Sequence, residues 1–210
     1  MKKIMMTLAA VCVAATMNAQ YYVGGSLGYT SNKTNNGTIG VAATQETTTN
    51  VFAIAPEFGM SIDDKLGFGI VFGFGTGKTT VDYVGTAAGT PSVSAKNSTV
   101  DIKPYLRYQV LTFGKANIFV DGGVDLGFSK TEDMKPAMDL GLFVTPGVAF
   151  DVNDKWSIVA KLNDMFAFGY HKDAVADVDG APDPATRINA NLSTGGFNVG
   201  SLTFGVYYKF

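Results

Sequence analysis

Four charged residues in this chain each lie six positions from a short polar turn: Glu57, Arg107, Asp121 and Lys161. Two are acids and two are bases, and all four alternate with bulky apolar neighbours. Charges of both signs at one depth could form a selectivity constriction or a path for protons. They could also neutralise one another as a salt-bridged plug. We favour the plug, because the interior of a narrow β-barrel is packed with side chains.

The hairpin around Gly114 adds two more charged positions. If Arg107 faces Asp121 across this hairpin, then Lys103 faces Asp125, because antiparallel partners advance in opposite directions. A one-residue slip would pair inward positions with outward ones. Opposite charges directly across a strand pair are stabilising. The sequence therefore predicts an interior charge layer of Glu57, Lys103, Arg107, Asp121, Asp125 and Lys161.

A second chemical possibility involves the only histidine. His171 lies beside Asp173, and Ser193 stands at the other end of the same polar stretch. Such a trio could form a nucleophile, base and orienting acid for an enzyme that acts on lipid. We favour an ordinary polar loop, and we predict no catalytic residue, no cofactor and no metal site.

The elements that must position these residues are strands. Apolar and small or polar residues alternate in eight segments, which begin near residues 21, 52, 66, 100, 118, 140, 156 and 197. In the third, Leu66, Phe68, Ile70, Phe72 and Phe74 alternate mostly with glycines. A strand needs roughly 9–11 residues to cross a bilayer at a tilt, and these segments suit that length. After residue 19 no apolar run reaches the ~20 residues of a membrane helix.

The connections between these segments alternate in length. Asp63-Asp64-Lys65, Phe113-Gly114-Lys115 and Asn153-Asp154-Lys155 predict tight turns, whereas polar stretches at 31–49, 78–98, 131–137 and 171–195 predict long loops. Outer-membrane barrels have short periplasmic turns and longer extracellular loops. Both termini are then expected on the periplasmic side.

The large side chains decide between a membrane barrel and a soluble one. A soluble barrel of lipocalin type would place its Phe and Leu residues inside, where eight strands leave too little room for them. Lipid therefore faces the bulky side, and glycines, small residues and charges face inward. The predicted fold is all-β, an eight-stranded antiparallel up-and-down transmembrane β-barrel. Pro56, Pro104 and Pro146 lie on the outward face and are expected to mark bulges or points of curvature.

Residues 1–19 have the pattern of a secretory signal peptide, with Lys2 and Lys3 before an apolar stretch and Ala19 before the expected cleavage site. The barrel domain is then 20–210. Cleavage would remove Cys12, the only cysteine, and would leave 14 basic and 18 acidic residues, a net charge of −4. This mild acidity excludes a general nucleic-acid-binding surface.

The segment from Ala55 to Ile70 contains a proline, an aromatic residue, an Asp-Lys turn and a Gly-alternating strand. It resembles the small outer-membrane β-barrel proteins of Bacteroidetes, as do the Ala19-Gln20 junction and the Lys-Phe terminus. The resemblance implies an OmpA/OmpX-like barrel of a Gram-negative outer membrane, inserted by the barrel-assembly machinery. It also implies an assembly signal in the last strand, for which we select Phe204, Val206, Tyr208 and Phe210.

From these features we expect a monomeric, non-enzymatic integral outer-membrane protein that acts structurally or through its extracellular loops. Its expected partners are outer-membrane lipid, the barrel-assembly machinery and an unidentified loop ligand, with no nucleic acid. The alternative is a porin-like transport role, as a narrow pore or a hydrophobic-ligand conduit. A lipid-modifying enzyme is a third hypothesis.

Overall fold

The computed structural model describes residues 20–39, 43–84, 92–132, 134–162, 166–173, 183–192 and 202–210. No helix in these ranges is long and apolar enough to cross a bilayer. Ten β-strand segments are described: β1 (Tyr21–Ile39), β2 (Ala43–Ser61), β3 (Leu66–Val84), β4 (Val93–Phe113), β5 (Ala116–Thr131), β6 (Ala137–Asp151), β7 (Trp156–Leu162), β8 (Phe166–Lys172), β9 (Thr186–Leu192) and β10 (Leu202–Lys209).

These segments form a closed eight-stranded antiparallel barrel. Strands β1 to β6 pair in sequence order. The seventh barrel strand consists of β7 and β8, which both pair with β6. The eighth consists of β9, which pairs with β8, and β10, which pairs with β7 and with β1. The predicted fold is therefore confirmed.

The outward face carries the large apolar side chains. Leu106 and Ile158 are 59% and 51% exposed, and Phe68 is 42% exposed, on three different strands. These exposed fractions exclude the lipocalin arrangement, in which the same side chains would fill the interior. The predicted direction of alternation is confirmed for these strands.

The inward face is more aromatic than the sequence suggested. Tyr22, Tyr105, Phe119 and Tyr207 are buried at 8% exposure or less. Glycines on neighbouring strands make room for them: a Cβ added at Gly59 would overlap the ring of Tyr22. The same holds for Gly69 beneath Tyr105 and for Gly147 beneath Phe119. The prediction of small and charged inward residues was incomplete, because inward glycines create the volume that these rings occupy.

Three tight turns lie where the sequence predicts them, between β2 and β3, between β4 and β5, and between β6 and β7. In the first, Asp63 Oδ1 accepts hydrogen bonds from the backbone amides of Lys65 and Leu66, both at 2.7 Å. These donors lower the pKa of Asp63. Asn153 caps the third turn in the same way. Gly114 adopts φ +59° in the second turn, a conformation that glycine takes without strain.

The predicted long loops were wrong over much of their length. Strands β1 and β2 stay paired to Ile39↔Ala43, and β3 and β4 stay paired from Phe74↔Val100 to Val81↔Val93. Residues 31–39, 43–49, 78–84 and 93–98 are therefore strand and not loop. Their Thr, Asn and Ser residues lack an apolar alternation, which made them resemble loop. Threonine nevertheless favours the extended backbone.

The interpretation of the prolines as bulges was also wrong at two positions. Between β2 and β3 the register is the same at Ile54↔Phe74 and at Glu57↔Val71, on either side of Pro56. Between β4 and β5 it is unchanged across Pro104. The register of β4 with β5 shifts instead between Gln109 and Leu111, close to the turn. Around Pro146 the described partner of β6 changes from β8 to β7, whereas its register with β5 is unchanged.

Candidate functional site: a charged layer across the barrel interior

The register of the strands places the predicted interior charges. Arg107 pairs directly with Asp121, as the sequence predicted for the β4–β5 hairpin. Glu57 on β2 lies opposite Gly24 and Val71. Lys161 on β7 lies opposite Gly147 and Thr203. All four charged side chains point into the barrel, where their exposed fractions range from 2% to 17%.

Arg107 binds two carboxylates at once. Its Nε and Nη2 donate to Asp121 Oδ1 and Oδ2 at 2.7 and 2.8 Å, a bidentate pair within one hairpin. Nη2 also donates to Glu57 Oε1 at 3.2 Å, and this contact crosses the interior. Two-point binding to a carboxylate fixes the guanidinium plane as well as its position.

Lys161 completes the cluster from the opposite wall. Its Nζ lies 3.0 and 2.9 Å from the two oxygens of Glu57 and 3.1 Å from Asp121 Oδ2. Two acids and two bases are therefore in mutual contact. A buried charge is tolerated when it is paired and hydrogen-bonded, and this neutral quartet meets both conditions.

Tyrosine hydroxyls also donate hydrogen bonds to Glu57. Tyr207 donates to Glu57 Oε1 at 2.8 Å, and Tyr105 donates to the same oxygen. Tyr22 and Tyr105 share a hydrogen bond of 2.6 Å between their hydroxyls. Tyr207 also contacts Arg107 Nη2 at 3.1 Å. Glu57 is thus the centre of a network drawn from β1, β2, β4, β7 and β10.

Aromatic rings enclose the guanidinium group. Arg107 Cζ lies 3.9 Å from the centroid of Phe119 and 5.3 Å from the centroids of Tyr22 and Tyr207. A cation over ring faces is stabilised by the ring quadrupole, and more so when water is excluded. The rings also fill the space between the charged groups. We call this set the septum: Glu57, Arg107, Asp121, Lys161, Tyr22, Tyr105, Phe119 and Tyr207.

Cavities lie on both sides of the septum. One of about 690 Å³ lies toward the long hairpins and is lined by Glu57, Asp121 and Lys161 together with Asp101 and Lys103. The other, of about 540 Å³, lies toward the short turns and is lined by Arg107, Tyr207 and other residues. The septum is therefore a single layer of side chains between two wider spaces.

The second predicted ion pair lies above the septum. Lys103 Nζ is 2.9 Å from Asp125 Oδ2, and each side chain is 26% exposed. Asp125 Oδ1 is buried and has no hydrogen-bond partner among the described residues. This pair lies beside the larger cavity, which Lys103 lines.

The tyrosines of the septum were not among the predicted site residues. Their parity on the strands nevertheless marks them as inward, and Tyr105 pairs with Gly123 across the β4–β5 hairpin. The missing information was the set of contacts across the barrel. Glu57 and Lys161 lie on strands that are not neighbours, so no hairpin register could predict their pairing.

The residues selected as an assembly signal lie on or directly after β10. Phe204, Val206 and Phe210 are 58%, 46% and 72% exposed on the outward face. Tyr208 packs edge-on against Trp156 and Phe210, with both pairs of ring centroids 5.0 Å apart. Trp156, Tyr208 and Phe210 therefore form an aromatic patch beside the short turn between β6 and β7. Aromatic residues of this kind are typical of the level where lipid headgroups meet hydrocarbon.

The candidate catalytic trio is only partly described. Asp139 contacts Nδ1 of His171, and Asp173 Oδ1 lies 2.9 Å from Nε2. Arg187 also contacts Asp173. Ser193 lies outside the described residues. Among the described residues, carboxylates therefore contact both ring nitrogens of His171. The described residues contain no group of three or more His, Cys, Asp or Glu side chains arranged to hold a metal ion.

Comparison with known proteins identifies structures and a family that this barrel resembles. The solved structures it resembles include the outer membrane protein OprG from Pseudomonas aeruginosa, with 12% identity and a TM-score of 0.51, covering 91% of this chain and 95% of that one. Another is Neisserial surface protein A, with 13% identity and a TM-score of 0.46, covering 90% of this chain and 97% of that one. At these identities the likeness concerns the fold alone. No curated protein matches this chain in sequence. Residues 4–210 match the outer membrane protein beta-barrel domain family, and the chain therefore belongs to that family of the outer membrane.

Proposed function

We propose that this protein is a non-enzymatic outer-membrane barrel whose interior is closed by the septum. It acts structurally or through the hairpins on its longer rim. The single observation that carries the proposal is the contact of Glu57 with Arg107, Lys161, Tyr105 and Tyr207. A hydrated ion would have to break several of these contacts to pass.

The orientation follows from the two rims. Ser61 N donates to Gln20 O at 2.9 Å, and Lys209 Nζ donates to Asp151 Oδ1 at 2.6 Å, so both ends of the barrel domain lie beside the short turns. Short turns are periplasmic in bacterial outer-membrane barrels. We therefore propose periplasmic termini, an extracellular rim of long hairpins, and export directed by residues 1–19.

A conductance measurement tests the closed interior. We expect the purified protein to give no stable current steps in a planar lipid bilayer. The matched variant is the charge-balanced replacement Glu57→Ala, Arg107→Ala, Asp121→Ala and Lys161→Ala, which removes two charges of each sign and should produce steps. Heat-modifiable gel migration would show that the variant remains a folded barrel. Stable steps from the unaltered protein would refute the closed interior and support a narrow pore.

One observation favours the alternative of a hydrophobic-ligand conduit. The described ladder between β1 and β10 ends at Ser26↔Gly205, although β1 continues to Ile39 and β10 begins at Leu202. The larger cavity borders Ser26, Leu27 and Phe204. An apolar ligand in this space would be held above the septum. Binding of a fluorescent fatty acid to the purified barrel, with saturation at one equivalent, would support this alternative.

A further inference from the structure

Three lysines lie close together on the outward face above the apolar band. Lys78 on β3 pairs directly with Lys96 on β4. Lys130 on β5 pairs with Ser98, the residue two positions from Lys96. All three side chains are exposed. We call them the rim lysines.

Two ammonium groups directly opposite each other are unfavourable without an anion between them. Like charges at paired positions destabilise a sheet, and directly opposite Cβ atoms are only about 4.5–5.5 Å apart. Within the described ranges, no carboxylate forms an ion pair with any of the rim lysines. Glu132 is adjacent to Lys96 through a backbone hydrogen bond of 2.9 Å, yet its carboxylate is not within ion-pair distance of Lys96.

Another lysine on the same rim does have a counter-ion. Lys33 on β1 forms an ion pair of 2.7 Å with Glu46 on β2. That contact raises the pKa of Lys33. The same rim therefore contains one lysine that is paired with a carboxylate. It also contains the three rim lysines, for which the described residues provide no counter-ion.

Along β3 and β4 toward the rim lysines, the outward side chains change from apolar to hydroxyl-bearing to charged. The paired Phe74 and Val100 belong to the apolar band, and Thr76 pairs with Ser98 on the next outward rung. Lys78 and Lys96 follow on the rung after that. Four residues of strand span about 13 Å, or about 10 Å of height at the usual tilt. Lysine stems can bend back toward the membrane, which places the ammonium groups at headgroup depth.

We propose that the rim lysines bind phosphate groups on lipids of the outer leaflet. The hydroxyls of Thr76 and Ser98 lie between the apolar band and the ammonium groups, where the glycerol or sugar part of such a lipid would be. This inference rests on the proposed orientation, with the long hairpins outside. Charge and depth together favour a phosphate-bearing lipid over a soluble anion, because the acyl chains would lie against Phe74, Val100 and Phe128.

The test is lipid binding to the mature barrel in detergent, measured by native mass spectrometry. The probes are a diphosphorylated lipid A and its dephosphorylated form. The variant is Lys78→Gln with Lys96→Gln and Lys130→Gln. For the phosphorylated probe we expect about a five-fold loss of affinity per lysine, on the order of 100-fold for all three. This loss should be smaller at high salt, and the dephosphorylated probe should show no loss.

The matched control replaces three lysines at the other rim, Lys65→Gln, Lys115→Gln and Lys155→Gln, which causes the same change in net charge. It should retain binding within about two-fold. Equal losses in both variants, or equal binding of the two probes, would overturn the proposal. The proposal would also be overturned if the triple variant lost its binding to soluble polyglutamate but retained its binding to lipid A. That result would assign the rim lysines to an acidic polypeptide.

Orientation is tested separately. The only cysteine of the chain is Cys12, inside the predicted signal peptide. A Thr80→Cys variant can therefore be labelled at one site in intact cells with an impermeant maleimide. Absence of labelling would refute the orientation in the proposed function. Labelling combined with unchanged lipid binding by the triple variant would refute only the role of the rim lysines.

Discussion

Tyr207 in the last strand donates a hydrogen bond of 2.8 Å to Glu57 in the second strand, across 150 positions of the sequence. The contact joins the second strand to the last one through one carboxylate. Because Glu57 also contacts Arg107 and Lys161, its replacement should affect stability more than any exposed charge does.

Replacing Glu57 with Gln should destabilise the barrel by about 3–5 kcal/mol, because two cations would then share the single carboxylate of Asp121. Urea unfolding in lipid vesicles measures this loss. The matched control is Glu46→Gln, which removes a partner from the exposed Lys33 and should cost less than about 1 kcal/mol. Similar values for the two variants would show that the septum does not hold the strands together.

Replacing Gly69 with Ala should cost about 1–3 kcal/mol, because the added methyl group would overlap the ring of Tyr105. The ring cannot move freely, since its hydroxyl contacts Tyr22 and Glu57. Gly28→Ala is the control, as a Cβ there meets no atom within 4 Å. Unfolding midpoints in urea compare the two, and equal midpoints would contradict the packing described for Tyr105.

Replacing Phe210 with Ala should reduce the amount of folded barrel in the outer membrane several-fold, if the last strand carries the assembly signal. Phe113→Ala is a control of the same chemistry at a turn, where the side chain is 81% exposed. Heat-modifiable migration of membrane fractions measures the folded amount. Both purified variants should refold equally well in detergent. Equal amounts in cells would remove Phe210 from the proposed signal.

Replacing His171 with Ala should leave the lipid composition of the outer membrane unchanged. We expect this because carboxylates contact both ring nitrogens of His171, whereas a general base needs one nitrogen within hydrogen-bond reach of the hydroxyl. Mass spectrometry of extracted lipids, from cells with and without the variant, provides the comparison. A lipid species that disappears with His171→Ala would support the enzyme hypothesis and contradict our proposal.

Local patterns predicted most of the wall of this barrel. Alternation identified the outward face, and the turn at Gly114 fixed the pairing of Arg107 with Asp121. These features depend on residues close together in sequence. The register shift near Gln109 was not predicted, because no residue there signals a bulge.

The centre of the barrel could not be predicted in the same way. Contacts such as Glu57 with Lys161 depend on the diameter and stagger of the closed sheet, which bring distant strands face to face. The length of β1 to β4 was also missed. Threonine-rich strands that leave the membrane lose the apolar signal but keep their backbone pairing.

Strands β3 and β4 remain paired for seven rungs beyond Phe74↔Val100, as far as Val81↔Val93. At about 3.4 Å per rung this is ~24 Å along the strands. Strand β2 stays paired with β3 over the same stretch, so the extension is a continuous sheet, and it is longer than the headgroup layer of about 5–8 Å. In the proposed orientation, a virus, antibody or neighbouring cell would therefore meet the tip of this sheet before it reached the lipid.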